Sequence, residues 1–486
     1  MTPSNAPNFL LICCDQLAAQ ALPALGNADP VQTPNIDRIL RRGVRFGRAY
    51  TSCPLCQPAR AAFWTGHFPS QTNVRTNGVR ADPSAAPEAV PEALPRLGRL
   101  LTEVGYRAWH AGKRHDAGGL DGFELAPVQE QEVAPTCDAW PVNYDTRQDR
   151  FATEAAVTFL KEHPQSQPWF AAVDLNNPHE ICQYVGAHAG SHTNGDMPRA
   201  LPPVWPNLRI DDWDNRPAPV QYIAAAHRRQ HQAAGWTDEN WQHYRAAYYH
   251  YVEQVDAEVG RILDAFEQRP DAANTILIFM ADHGDAMGAH GLATKHTSFY
   301  DPTVRVPFAF AGPCIQSMDT QLNDPLVSLL DLLPTVCELA GIDCPEGLWG
   351  RSLAPWLRDA ATAATTPHDW VVSEWETEWG FTVEPGRMLF SGRYKYMTYR
   401  EDDGEELYDL ANDPGETINL APDAGHRATL TAHRAMLRRH CQRTGDDFFE
   451  RTAKVDPIFR QGSPGNANYE GLLAVPSAEK QHGQKA

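Results

Sequence analysis

The chain has no apolar run that approaches the roughly 18 residues a membrane-crossing helix needs. Its best candidate, Asn8 to Cys14, is short, follows no basic stretch and meets Asp15 at once. It does not read as a secretory leader. The chain as numbered is therefore expected in the cytoplasm, or in the periplasm or outside the cell if a leader has been removed. Positive charge is also scarce. Lys and Arg total 42 against 61 Asp and Glu, for a formal net charge of −19. That balance argues against nucleic acid or a membrane as partners, and an anionic substrate must find a local cationic pocket. The ten cysteines lack zinc-finger spacing. Cys53 and Cys56 are two residues apart, but no second pair accompanies them. There are no internal repeats. The 42% hydrophobic content and 13 Trp exclude a disordered chain, and 486 residues can bury a large core and form two domains.

Three apolar runs read as buried parallel strands: Asn8 to Cys14, Trp169 to Leu175 and Thr275 to Met280. Each ends in polar residues: Asp15, then Asn177-Pro178-His179, then Asp282-His283-Gly284. Helical patterns alternate with them, at Ile36 to Gly43, Leu97 to Gly105, Thr153 to Glu162 and Tyr248 to Phe266. Such alternation predicts a mostly parallel sheet with helices on both faces, and ligands bind beyond the carboxyl ends of its strands. Residues 183–245 show little periodicity and read as a long excursion over the pocket, with Trp205, Trp213, Trp236 and Trp241. Trp faces suit sugar rings, although core packing accounts for most of them. An Ala/Thr-rich linker is expected at 360–367. Beyond it, Trp370 to Glu374 and Met388 to Tyr399 read as strands, and a helix spans about Gly425 to Cys441. The expected domains are 1–365 and 366–486.

The most informative run is Thr51 to Gln71, TSCPLCQPARAAFWTGHFPSQ. Arg60 follows Cys56 by one helical turn. A helix starting there would place Cys56 at its N-terminus, where anions are favoured. Cys56 could be read as a low-pKa thiolate nucleophile, but no triad or resolving cysteine supports that. Further along stand Gly112-Lys113-Arg114-His115, Leu120-Asp121-Gly122-Phe123-Glu124, Asn177-Pro178-His179, Asp282-His283-Gly284-Asp285, His290-Gly291-Leu292 with Lys295, and Arg305-Val306-Pro307. Gly392-Arg393-Tyr394-Lys395-Tyr396 and the stretch Glu406 to Glu416 follow.

This series, in this order from Asn8 to about Ala421, resembles the formylglycine-dependent sulfatases of the alkaline phosphatase-like superfamily. The Cys-x-Pro-x-Arg of Cys56 to Arg60 resembles their signature. The resemblance implies an α/β/α sandwich with a mostly parallel sheet, plus a smaller C-terminal antiparallel sheet and helix. It implies that a maturation enzyme oxidises Cys56 to formylglycine. The hydrated aldehyde then attacks sulfur, with S–O cleavage through a covalent intermediate. It also implies one divalent cation, with Ca2+ leading and Mg2+ or Mn2+ as alternatives. Asp15, Gln16, Asp282, His283 and the modified Cys56 would hold it. Gln16 stands where many members have a second Asp. Arg60 would anchor the aldehyde hydrate, and Asp282 would accept its proton. Lys113 would touch sulfate, His115 would take the proton that releases product, and His179 and Lys295 would bind sulfate and protonate the leaving oxygen. The expected activity is hydrolysis of a sulfate monoester of a small molecule or an oligosaccharide, with a sulfated carbohydrate as the leading expectation. The alternatives are a phosphonate monoester or phosphodiester hydrolase, a choline sulfatase, or a degenerate member that only binds sulfated sugars.

Overall fold

The computed structural model describes residues 6–78, 88–127, 147–164, 166–187, 200–209, 216–217, 219–220, 233, 235–295, 298–316, 319–359, 366–376, 385–399 and 404–450. Trp213 and residues 360–365 of the expected linker lie outside them.

In chain order the strands of the main sheet are β1 (Asn8–Asp15), β2 (Val44–Phe46), β4 (Arg107–Gly112), β5 (Glu124–Leu125), β6 (Trp169–Pro178), β7 (Thr275–Ala281), β8 (Phe308–Ala311) and β9 (Thr320–Leu322). A two-residue strand, β3 (Ala49–Tyr50), pairs with β10 (Val327–Ser328). The eight-stranded order is β5-β4-β6-β1-β7-β8-β2-β9. From β5 to β7 every pairing is parallel, and β8 runs antiparallel to both neighbours. β1, β6 and β7 are buried at every residue, so they read as continuous apolar runs and not as alternating ones.

Helices pack in two groups. Pro34–Arg42, Arg147–Glu162 and Asp238–Glu267 touch one another in series, while Cys56–Thr65 touches both Leu97–Glu103 and Leu332–Ala340. The result is an α/β/α sandwich around one large core, which includes Phe9, Leu11, Trp169, Phe170, Val255, Ile278 and Phe310.

The second sheet is antiparallel, with β11 (Val371–Trp375), β12 (Gly386–Phe390), β13 (Tyr394–Tyr399) and β14 (Glu405–Asp409) in order. The helix Arg427–Thr444 packs against β13. Buried polar contacts tie this sheet to the segment at Tyr300 and Asp301 that precedes β8. Lys395 of β13 lies 2.7 Å from both Asp301 and Glu416. Arg216 lies 2.9 Å from Glu406 and from the Tyr300 hydroxyl.

Two expectations need correction. The segment Met388 to Tyr399 is a hairpin, broken at Gly392, whose φ of +90° suits a tight turn. The aperiodic stretch 183–245 is not wholly an excursion, because the 30-residue helix begins inside it at Asp238. Thr237 caps that helix by accepting the Asn240 N–H. Its first turns bury Trp241, His243, Tyr244, Arg245, Ala246, Ala247, Tyr248 and Tyr249. A helix enclosed on nearly all sides shows no 3.6-residue stripe. Trp236 and Trp241 pack edge to face with ring centroids 4.9 Å apart and belong to the core.

Candidate active site

Four adjacent parallel strands, β4, β6, β1 and β7, end on the same side of the sheet. Their ends carry, in spatial order, Lys113, His179, Asp15 and Asp282-His283. The pattern follows from the parallel register, since residues just past the ends of paired strands must face one cleft. Gly112 is needed at the end of β4. It has a φ of +100°, and a Cβ there would lie 1.9 Å from the Asp174 carbonyl oxygen. The close approach lets the Lys113 N–H bond that oxygen at 2.9 Å. Gln16, at a φ of +70°, turns the chain out of β1 so that its own N–H donates to Asp282 Oδ1 at 3.0 Å. Such strain persists where the surroundings hold it, and it clusters at functional sites.

Cys56 is the first residue of the helix Cys56–Thr65 and is 1% exposed. Its sulfur is surrounded. Lys295 Nζ lies 2.8 Å away, His283 Nε2 3.1 Å, Asp15 Oδ1 3.6 Å and Lys113 Nζ 3.9 Å. His115 and His179 both lie close enough to bear on its ionisation or to feel its charge. The structure thus brings Cys56, Lys113, His115, His179, Lys295, Asp15 and His283 to one point. The arrangement also shapes their ionisation. Burial opposes ionisation of the Cys56 thiol, but Lys113, Lys295 and His283 outweigh it and pull it well below the usual thiol range. Burial, then Lys113 and Lys295, press the His179 imidazole down to about 3, so it is neutral in the free site. Burial and the Cys56 sulfur oppose ionisation of Asp15, yet Lys113, His179 and Lys295 hold it below the normal carboxylate range. Burial and then Asp15 push Asp282 up to about 6.

Arg60 is fully buried and sits behind the sulfur among three carboxylates. Its Nε lies 2.9 Å from Asp282 Oδ2, one terminal nitrogen 3.2 Å from Asp15 Oδ2, and the other 3.1 Å from Asp174 Oδ2. Asp174 Oδ2 is also 2.7 Å from His110 Nε2. The sequence reading missed Asp174 and His110. The available signal was a carboxylate inside a buried apolar strand, which has to be paired.

The Gln16 side chain is held by two further residues. Its amide donates to Asp285 Oδ2 at 2.6 Å and lies 3.4 Å from the Cys182 sulfur. Asp285 in turn accepts the Tyr244 hydroxyl at 2.9 Å, and that hydroxyl accepts the N–H of Thr294, next to Lys295, at 2.7 Å. Neither Asp285 nor Tyr244 was among the expected site residues. Asp149 was missed as well. It accepts the N–H of Asn177 at 3.1 Å and its side-chain amide at 2.8 Å, which fixes the segment that carries His179.

Asp15, Cys56, Asp282 and His283 each offer one ligand atom, all within 4.8 Å of one another and all buried. Two carboxylates and the His283 imidazole, once Nε2 is free of a proton, suit a divalent cation. The other atoms of these ligands are already held, by Arg60, Lys113 and main-chain groups.

Comparison with known proteins places the chain among sulfatases. The Sulfatase family model matches residues 7–342, and that of the N-sulphoglucosamine sulphohydrolase C-terminal region matches 288–442. A Delta 4,5-hexuronate-2-O-sulfatase from Bacteroides thetaiotaomicron is 44% identical over 467 residues, covering 96% of this chain and 95% of that protein. A choline-sulfatase from Rhizobium meliloti is 30% identical, covering 90% and 87%. The solved structure of a 2-O GAG sulfatase superposes with a TM-score of 0.86 at 43% identity, covering 96% and 98%. A phosphonate monoester hydrolase of Agrobacterium radiobacter shares the fold, with a TM-score of 0.70 at 22% identity, covering 93% and 98%.

Proposed function

Since this chain belongs to the sulfatase family and is a sulfuric ester hydrolase, we propose that it removes the 2-O-sulfate from an unsaturated hexuronate end of a glycosaminoglycan fragment. The likeness to the Delta 4,5-hexuronate-2-O-sulfatase, over 96% of the chain, carries the choice of substrate. The cationic centre supports it, because Lys113, Lys295 and Arg60 supply the local positive charge that a −19 protein otherwise lacks.

The family implies a formylglycine at Cys56 and a divalent cation, which would supply a hydrated aldehyde oxygen as nucleophile and neutralise charge on the non-bridging oxygens. We assign the cation as Ca2+, held by Asp15, Asp282 and His283, with Mg2+ and Mn2+ as alternatives. A formylglycine-generating maturation enzyme is the implied partner. The remaining roles fall to side chains whose positions are described. Lys113 and Lys295, flanking the Cys56 sulfur, bind the sulfate oxygens. His115, beside that sulfur, takes the proton whose removal frees the product sulfate. His179 is neutral in the free site. A bound anionic sulfate offsets the pressure of the two lysines and lets His179 take up the proton that it delivers to the leaving oxygen.

The test is a panel assayed side by side. It comprises an unsaturated 2-O-sulfated disaccharide, the same disaccharide sulfated only on its hexosamine, choline sulfate and a phosphonate monoester. The 2-O-sulfated compound should lead in kcat/KM by about tenfold or more, equivalent to about 1.4 kcal/mol of discrimination. Faster turnover of any other compound overturns the assignment. Peptide mass spectrometry of active enzyme should show that sulfur is lost at Cys56. Chelation should remove activity, and Ca2+ should restore it best.

A further inference from the structure

The chain as translated carries a thiol at the centre of its metal site, and that changes what the site can hold. Asp15, Cys56, Asp282 and His283 then offer two carboxylate oxygens, one sulfur and one imidazole nitrogen. Oxygen-only sets suit Ca2+ and Mg2+, whereas thiolate with imidazole suits zinc and its neighbours. Tetrahedral zinc has Zn–S distances of about 2.3 Å and Zn–N or Zn–O distances of about 2.0–2.2 Å, which sets its ligand atoms roughly 3.3–3.6 Å apart. Here Cys56 Sγ lies 3.1 Å from His283 Nε2 and 3.6 Å from Asp15 Oδ1. His283 Nε2 lies 3.9 Å from Asp15 Oδ1 and 3.8 Å from Asp282 Oδ1. These four separations lie within a few tenths of an ångström of the tetrahedral values, and all four ligand atoms fall within 4.8 Å of one another.

The ligands are also oriented. His283 Nδ1 sits 2.9 Å from the carbonyl oxygen of Gly284. Its proton therefore belongs there, and the Nε2 lone pair faces the sulfur. Asp15 Oδ2 is held by Lys113 at 2.6 Å and Arg60 at 3.2 Å, which leaves Oδ1 toward the cluster. Asp282 Oδ2 is held by Arg60 at 2.9 Å. Asp282 Oδ1 accepts the N–H groups of Gln16 and His283 at 3.0 and 2.9 Å.

We propose that the unmodified chain binds one thiophilic divalent ion, of the Zn2+ or Co2+ type, through Cys56 Sγ, His283 Nε2, Asp15 and Asp282. On binding, the thiol proton leaves to solvent and a metal–sulfur bond forms, with no change of oxidation state. Lys295, 2.8 Å from the sulfur, donates to the bound thiolate from outside the ligand set. The thiolate site stands independently of the function proposed above. Only the corollary, that conversion of Cys56 to an oxygen ligand moves the preference toward a harder cation, rests on that reading.

The experiment uses full-length chain made without a maturation activity, with the intact thiol at Cys56 confirmed by peptide mass and metal removed by chelation. Titration with Co2+ should give a sulfur-to-cobalt charge-transfer band that saturates at one ion per chain. Zn2+ should bleach it stoichiometrically, and Zn2+ should bind at least about a hundredfold tighter than Ca2+. Cys56→Ser should lose the band while keeping its near-ultraviolet circular dichroism. Cys53→Ser and Cys182→Ser, which alter buried thiols outside the ligand set, should retain it. His283→Gln should keep a weaker, shifted band. No charge-transfer band in thiol-intact protein, or a band that survives Cys56→Ser, overturns the proposal. Because no turnover is measured, a wrong substrate assignment leaves this result untouched.

Discussion

Asp174→Asn tests whether the carboxylate behind Arg60 serves the site or only the fold. The substitution keeps shape and removes one charge. In the parent, the Arg60 guanidinium is fully buried and shared among Asp15, Asp174 and Asp282 at 2.9–3.2 Å. Breaking a buried pair by neutralising one partner costs about 3–5 kcal/mol. Arg60 keeps two of its three carboxylates, and an Asn oxygen can still accept, so the low end of that range, about 3 kcal/mol, is expected for global stability. The functional consequence is separate. Asp174 now absorbs part of the Arg60 charge. Without it, that charge falls on Asp15 and Asp282, the two carboxylates that face the cation site. Affinity for a divalent ion should fall about 10- to 100-fold, the usual cost of losing an outer partner of a metal ligand. Denaturant unfolding of the chelated protein gives the first number, and calorimetric titration of the metal gives the second. His110→Gln should show a smaller loss of the same kind, since His110 orients Asp174 at 2.7 Å without touching Arg60. An Asp174→Asn protein that loses stability but binds metal as the parent does would refute the argument for the site and leave Asp174 as part of the fold.

Three more outcomes follow from the geometry. His179→Ala should cost about 10²- to 10⁴-fold on a sugar sulfate and far less on an aryl sulfate with an acidic phenol, because a proton donor matters most for a basic leaving oxygen. Equal losses would mean that His179 only binds sulfate. Tyr244→Phe should leave the buried Thr294 N–H without its acceptor, costing about 1–3 kcal/mol of stability, and should lower kcat through the adjacent Lys295. Burial pushes Glu374 up to about 8 despite the opposing charge of Arg387. The folded chain thus keeps a proton that the unfolded chain releases, so this group's contribution is fully present at low pH and is lost as pH rises from about 5 to 8. Glu374→Gln should flatten that decline in denaturation curves taken at several pH values, and parallel curves for parent and variant would contradict it.

What was legible in the sequence, and what was not, divides along a physical line. Asp15, His179 and Asp282 could be placed together because each ends an apolar run, and buried parallel strands put their carboxyl ends at one edge of the sheet. Cys56 and Arg60 came from the resemblance of their Cys-x-Pro-x-Arg run to the sulfatase signature, and the helix starts at Cys56 itself. The strand Arg107–Gly112 was not anticipated, because Arg107 and His110 interrupt its apolar pattern. With it was lost the reason for His110, whose polar ring is buried only because Asp174 of the next strand receives it. Asp149, Tyr244 and Asp285 were hidden for a related reason. They lie on a helix or a loop far along the chain from the groups they hold, and one sequence carries no signal for pairings of that range. Residues that touch the reacting centre repeat a short local grammar, while those that hold them in place are chosen by three-dimensional packing. A partner such as Asp174 is therefore found by asking of any buried charge what neutralises it, because burying it alone costs more than the fold can supply.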